Sequence, residues 1–334
     1  GKITCYEVWN EPDGKWCWKH GVSGTEYGEL VNLTAAAVRE ADPEAKVIGG
    51  ALCLYDLKWV RDVLATGAGR QMDVLTYHGY SPDERHSIEC MRAVKALCLR
   101  ENPAMEFAQG ETGTQSRSDG AGALRGMAWT PVRQAKFLAR HLLAHMFEGV
   151  KFNSYFSCMD MIEALNGTVG DKASYLDYGY FGVLGAEFDA DGVSTGEYKP
   201  KPSYRTLQVL AAIFREEFSV QELPVRVAPV DSSLLARRED PGRSLLSCGF
   251  AKPNGSAAFV YWMPAEILTT TYEATITVEC CSLPGEAKLI DLLEGTIYSI
   301  PESMVENEGK GYRRFLHLPL RDYPLLLTFG DFAE

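Results

Sequence analysis

The chain has 334 residues, 46% of them hydrophobic, and a formal net charge of −12. That is enough apolar material for one large or two medium domains. The acidic balance argues against a nucleic-acid partner, since phosphate binding needs a basic face, and no apolar run is long enough to span a bilayer.

The elements alternate from the start. "ITCYEVW" (3–9) reads as a strand and "SGTEYGELVNLTAAAVREA" (23–41) as a helix, with Ser23 and Glu26 in a capping-box pattern. A short buried strand, "KVIGG" (46–50), precedes a helix, "LKWVRDVLATG" (57–67), that Gly67 stops. Then come a strand (72–80), a helix (83–101), a strand (105–111), a helix (130–149) with Pro131 in its first turn, and a strand (150–157). A long loop rich in Gly, Asp and Tyr leads to a last helix at 201–217. Strand-then-helix repetition implies parallel strands with helical crossovers. Two architectures fit: an open doubly wound sheet and a closed eight-stranded barrel. No G-x-G-x-x-G follows any strand, which removes the main support for a dinucleotide-binding open sheet.

After residue 218 the texture becomes all-β. Short strands are expected at 244–251, 256–263, 273–279, 287–293, 295–300, 314–320 and 323–329, with Asn254-Gly255 as a hairpin cue. The expected division is therefore an α/β domain over 1–217 and an antiparallel β-sandwich over 218–334. The sandwich reads first as a packing partner for the α/β domain and second as a carbohydrate-binding module.

Nine cysteines is an odd count, without C-x-x-C spacing, and reads as reduced thiols in a reducing compartment, hence a cytoplasmic location. The sequence need not begin at a natural start, so export stays open. Cys280-Cys281 reads as a pair of strand residues. His141 and His145 share one helical face, but Leu142 stands where a metalloprotease helix needs glutamate, so they read as surface or core histidines. No metal and no cofactor are expected.

Two glutamates stand at strand ends, the position from which a βα barrel projects its catalytic groups. Glu11, in "YEVWNEPDG", follows the first strand; Glu111, in "AQGETGTQ", ends the fourth. Either one alone reads equally as a loop cap. Together, three βα units apart on a closed barrel, they could face each other across its mouth. A glycosidase needs two such carboxylates, one to protonate the leaving oxygen and one to attack the anomeric carbon or activate water.

These motifs resemble the glycoside hydrolases of clan A, retaining enzymes on a TIM barrel. "WNEP" (Asn10, Glu11) is similar to the clan's acid/base motif at the end of strand four, and "GETG" (Glu111) to the nucleophile motif ending strand seven. "YHGYS" resembles the end of strand six, which places His78 and Tyr80, and "KPKPSYRTLQ" resembles the entry to the last barrel helix. The resemblance covers roughly residues 1–217. It implies a (β/α)8 barrel of which strands four to eight are present, so that a partial barrel precedes the sandwich. It implies a carbohydrate substrate: a β-glucoside, β-galactoside or β-xyloside. It also implies that a second copy of the chain, or a separate polypeptide, covers the flank between strands four and eight. A degenerate, non-catalytic carbohydrate-binding or structural remnant is the alternative.

The resemblance further implies roles. Glu11 is the acid/base, with its pKa raised by an apolar wall containing Trp9 and Trp16 or Trp18. Glu111 is the nucleophile, kept ionised by donors such as Tyr80. Asn10 holds the sugar 2-hydroxyl. The clan's strand-eight tryptophan is absent from "FNSYFSCMD", so Tyr155 or Phe156 would substitute. Trp129, Tyr175, Tyr178 and Tyr180 are further aromatic platforms, with core packing as the competing reading for each.

Overall fold

A computed structural model of the chain describes residues 3–163, 177–189, 192–229 and 245–333. The chain divides into two compact units: Gly1–Gly113 with Glu148–Phe156, and Thr114–Phe147 with Ser157–Glu334. This is not the division expected after residue 217, because two helices of the expected α/β domain count with the β-sheets.

The first unit is a five-stranded parallel sheet: β1 (Cys5–Glu7), β2 (Lys46–Leu52), β3 (Val74–His78), β4 (Glu106–Thr112) and β5 (Asn153–Tyr155). The strands stand side by side in sequence order. Such a sheet has no point where the winding reverses, so it is not doubly wound; its order is that of consecutive strands in a barrel wall. The crossovers carry α1 (Gly24–Ala41), α2 (Leu57–Ala65) and α3 (Glu84–Glu101). Helix α1 starts where its cap dictates: Ser23 is extended and its side chain accepts from Glu26 N at 3.2 Å. Its fully buried Tyr27 ties the helix to the sheet, with the hydroxyl donating to Val8 O and accepting from Gly50 N, both at 2.9 Å. The "GG" of β2 is a steric requirement. Gly50 has φ +102°, and a Cβ there would stand 2.4 Å from Thr76 O.

The second unit opens with α4 (Pro131–Phe147). The stretch expected to be a long loop contains strand pairs, β6 (Met161–Glu163) with β7 (Asp177–Gly179) and β8 (Leu184–Phe188) with β9 (Ser194–Pro200). Next come α5 (Pro202–Ile213), β10 (Ser219–Val220), β11 (Val225–Pro229), β12 (Leu246–Ala251), β13 (Ala257–Trp262), β14 (Glu273–Cys281) and β15 (Ala287–Asp291). The last strands are β16 (Ile297–Ser299), β17 (Val305–Gly309), β18 (Tyr312–Arg321) and β19 (Leu325–Phe329).

A six-stranded sheet, β10-β12-β13-β19-β15-β16, and a four-stranded sheet, β11-β14-β18-β17, form the expected sandwich. Alternate residues explain its core. Phe259 and Tyr261 of β13 face Val278 of β14 and Phe315 and Leu318 of β18. The other face of β13 is buried as well, so "AAFVYW" has no polar position at all. There Trp262 meets Phe147 at the end of α4 at 5.4 Å between ring centroids, and Phe250 of β12 meets Phe214 just beyond α5 at 5.1 Å. The two helices cover the sheet's outer face, which is why they group with it. Every position of α4 from Gln134 to His145 is buried, including His141, whose ring stacks on Phe137 at 3.8 Å. A buried ion pair ties this helix to the sandwich: Lys136 Nζ lies 2.6 Å from Asp322 Oδ2. Cys280 is buried and Cys281 exposed, on opposite faces of β14 as neighbouring strand residues must be.

Candidate active site

The candidate residues converge at the C-terminal ends of the first unit's strands. His78 ends β3, and Glu111 is its direct neighbour in the parallel register on β4. Adjacent strand ends thus put the two side chains on one rim. Thr112 Oγ1 donates to Gly79 O at 2.9 Å, and Gly79 N donates to Glu111 O at 2.9 Å, which extends the ladder past His78. Tyr80 then returns over the rim, and its hydroxyl donates to Glu111 Oε1 at 2.7 Å.

Glu11 arrives differently. Regular strand ends at Glu7, and the sequence expectation of a strand to residue 9 fails because Trp9 is left-handed, at φ 67°. Glu11 is left-handed too, at φ 44°. Two non-glycine residues in this region within three positions are a strained turn, held by its surroundings. Asp13, 3% exposed, supplies that hold. Its carboxylate accepts from Cys53 N at 3.0 Å and Leu54 N at 2.8 Å, which pins the loop after β1 to the loop after β2.

The turn delivers the Glu11 carboxylate to His78. Glu11 Oε1 is 2.9 Å from His78 Nδ1, and the same nitrogen is 4.0 Å from Glu111 Oε1. One potential ligand atom from each of the three residues lies within 4.8 Å of the others. A divalent cation could use that donor set, but His78 and both carboxylates are already hydrogen-bonded within the protein, and we identify none of them as a metal ligand. The other oxygen, Glu11 Oε2, accepts from Trp16 Nε1.

Burial alone would push the Glu11 pKa up. The hydrogen bonds from His78 and Trp16 and the His78 charge outweigh it and hold the carboxyl below its ordinary range. This corrects the expectation of a raised value: the tryptophan beside Glu11 presents its N–H and not an apolar face. His78 moves the opposite way. Burial pushes it down, but the hydrogen bond to Glu11 and the charges of Glu111, Glu11 and Glu7 carry it above its ordinary value.

These opposite shifts set a pH window. Glu11 contributes stability above its ordinary pKa of about 4.3, lost as pH falls through its lower folded value. His78 contributes below its ordinary value of about 6.5, lost as pH rises through its higher folded value. The pair is therefore fully effective between about pH 4.3 and 6.5. His78→Phe is expected to lower the urea midpoint most inside that window. An equal loss at pH 5.5 and pH 9 would show that packing, not the ion pair, is responsible.

The remaining candidates separate. Trp9 is half-exposed and stands edge-on to Trp18 at 5.9 Å. Asn10 is exposed, with Nδ2 3.8 Å from Cys17 Sγ. Tyr155, on β5, is in register with Thr112, and Phe156 N donates to Thr112 O at 2.6 Å, so both stand beside the strand that carries Glu111. Trp129 belongs to the second unit and is corrected from platform to core. It is 2% exposed, its indole N–H donates to Leu124 O at 2.9 Å, and its ring packs edge-on to Phe137. Tyr178 and Tyr180 also lie in the second unit, stacked on each other at 6.4 Å. Tyr175 lies outside the described residues. Sequence reasoning missed Asp13, Cys17 and Tyr55, whose hydroxyl donates to His78 O. Only Asp13 had a local signal, as the turn residue of "EPDG".

A match to the family of glycosyl hydrolases 39 runs over residues 3–247. The chain belongs to glycosyl hydrolase family 39. A stretch of 83 residues is 36% identical to a β-xylosidase of Geobacillus stearothermophilus, covering 24% of this chain and 16% of that enzyme. Two solved structures share the fold of the family 39 chain at low identity. A family 51 α-L-arabinofuranosidase from Bifidobacterium longum is 13% identical with a TM-score of 0.59, over 97% of this chain and 66% of that one. An α-L-arabinofuranosidase from Thermotoga maritima is 12% identical with a TM-score of 0.54, over 96% and 65%. The chain thus spans about two thirds of the length of these solved relatives. No helix among the described residues is long and apolar enough to cross a membrane.

Proposed function

We propose that this family 39 chain carries the site of a retaining β-glycosidase, with Glu111 as nucleophile and Glu11 as acid/base. The observation that carries the reading is the carboxylate pair, with an oxygen of each within a 4.8 Å set around His78. Retaining enzymes hold their two carboxyl groups about 5–5.5 Å apart, whereas inverting ones need about 6.5–9.5 Å to admit water. The different partners of the two groups support the division of labour. Tyr80 donates to Glu111 Oε1 and holds that carboxyl in place on the rim, while Glu11 is bound to His78 and Trp16.

In the first step a Glu111 oxygen attacks the anomeric carbon, and the bond to the leaving oxygen breaks. That oxygen keeps the electron pair and takes the Glu11 proton. In the second step water attacks the same carbon, gives its proton to the Glu11 carboxylate, and releases Glu111. Asn10 would hold the 2-hydroxyl, Trp9 would offer an apolar face, and Tyr155 or Phe156 would stand in for the strand-end tryptophan. A β-xyloside is the favoured substrate, on the likeness to the Geobacillus β-xylosidase; β-glucosides and β-galactosides follow.

We read the five strands as the fourth to eighth of a (β/α)8 barrel. β1 is an outer strand with all three residues exposed, an edge along which a further strand, from the same protein, a second copy or another polypeptide, would pair. One preparation tests both points. Proton NMR of aryl β-xyloside hydrolysis should show the β-anomer first, and light scattering should show an assembly. Initial α-anomer removes the retaining mechanism; an active monomer removes the need for a second chain.

A further inference from the structure

The Glu11 carboxyl is held at both oxygens, and the two holds are not chemically equal. His78 Nδ1, at 2.9 Å from Oε1, can donate or accept according to its tautomer. The indole N–H at Oε2 can only donate. A proton on Oε1 can therefore be shared with a neutral His78. A proton on Oε2 would face the Trp16 N–H donor to donor, and the contact would break.

The sequence builds this contact into the loop. Gly14 precedes Trp16 by two residues, and Gly14 N donates to Glu11 O at 3.0 Å to close the turn. The Trp16 ring lies directly over Gly14, where a Cβ would stand 2.5 Å from the indole carbons. Glycine at 14 thus lets the ring lie back over the loop and reach Glu11. The ring is also 49% exposed, so it can swing away without opening a core.

We propose that Trp16 is a positioning residue that clamps Glu11 in its base form, and that the leaving-group oxygen must displace the indole from Oε2 before Glu11 can act as an acid. This rests on the reading of Glu11 as acid/base. The clamp suits the second step, where Glu11 must accept a proton, and opposes the first, where it must give one. Trp16 thereby selects by leaving group. Groups that depart without protonation react past the clamp; groups that need the proton must first occupy the position of the indole. The displaced ring remains beside the leaving group as an aromatic surface.

The titratable groups around Glu11 are His78 from β3, Glu111 and its partner Tyr80, Cys53 from the loop after β2, and Glu7, Asp13, Cys17 and Lys19 around its own loop. Trp16 can be changed without altering any of them. Trp16→Phe keeps an aromatic ring, though a smaller one, and removes the N–H. Gly14→Ala leaves Trp16 intact and pushes the ring off its seat.

The experiment follows the Glu11 carboxyl directly, by 13C NMR titration of the full chain labelled at glutamate, with Glu11→Gln to identify its signal. Both variants should raise the Glu11 midpoint, because each removes a donor to the carboxylate. The basic limb of kcat/KM should move up with it. The ratio of turnover on an alkyl β-xyloside to that on a dinitrophenyl β-xyloside should rise about threefold or more, as expected when a hydrogen bond to a charged group no longer has to be broken. A Glu11 midpoint unchanged in Trp16→Phe overturns the clamp, whatever the activity. A midpoint that rises in a chain without glycosidase activity supports the clamp and removes only the assigned role of Glu11.

Discussion

Glu111→Ala is expected to abolish turnover of every glycoside, with a loss of at least about 10⁴-fold in kcat, because in the proposed assignment it removes the carboxylate that forms the covalent intermediate. Glu11→Ala should behave differently. With a good leaving group the first step needs no proton and survives, while the second step slows because water has lost its base. Alkyl glycosides should lose about 10²–10⁴-fold, the span of general acid catalysis. Azide separates the two roles. It needs no base, so it should accelerate the Glu11 variant and give a glycosyl azide of retained configuration. Inverted azide from that variant would mean that Glu11 is the nucleophile and Glu111 the acid/base.

The second large effect concerns stability. Lys136 and Asp322 form a 2.6 Å ion pair in which the aspartate side chain is 1% exposed. Removing one partner from such a pair strands the other charge away from water. Asp322→Ala is expected to cost about 3–5 kcal/mol. Lys136→Met with Asp322→Leu should recover most of that, since well-packed apolar groups replace a buried pair at little cost. Urea unfolding of the single and double variants decides. A double variant no better than Asp322→Ala would show that the loss comes from packing between α4 and the sandwich, not from the unpaired charge.

The sequence carried its local features well. Ser23 caps α1, the five strand–helix units exist, and "AAFVYW" is a strand. Each of these follows from periodicity or capping within a few residues. The strand before Glu11 was read too long because β-branched and aromatic residues continue to Trp9, while the backbone turns left-handed there. Asp13, which holds that turn, acts on residues forty positions away. The two glutamates were legible from their motifs, but His78 between them as a shared partner was not, since Glu11 and His78 are 67 residues apart. Trp129 shows the converse. Beside the Thr-Pro start of a helix it has the composition of a platform, and only the packing of Phe137 over it makes it core. The grouping of α4 with the sandwich was hidden for the same reason: what α4 covers depends on β13, which lies more than a hundred residues later.

That distance has a temporal side. Ribosomes deliver the chain in order, and the path leaves the first unit after Gly113, returns after Phe147 and leaves again after Phe156. The nascent parallel sheet therefore waits through the whole of α4 before β5 can close over β4. Helix α4 waits far longer, because β13 begins at Ala257, about 110 residues beyond the end of the helix. At the usual pace of synthesis this is roughly 5 to 20 s. For that interval a helix built to be buried from Gln134 to His145 has no sheet to cover it. Any slowing of translation between Phe147 and Ala257 lengthens the time in which that apolar helix can drive the chain to aggregate.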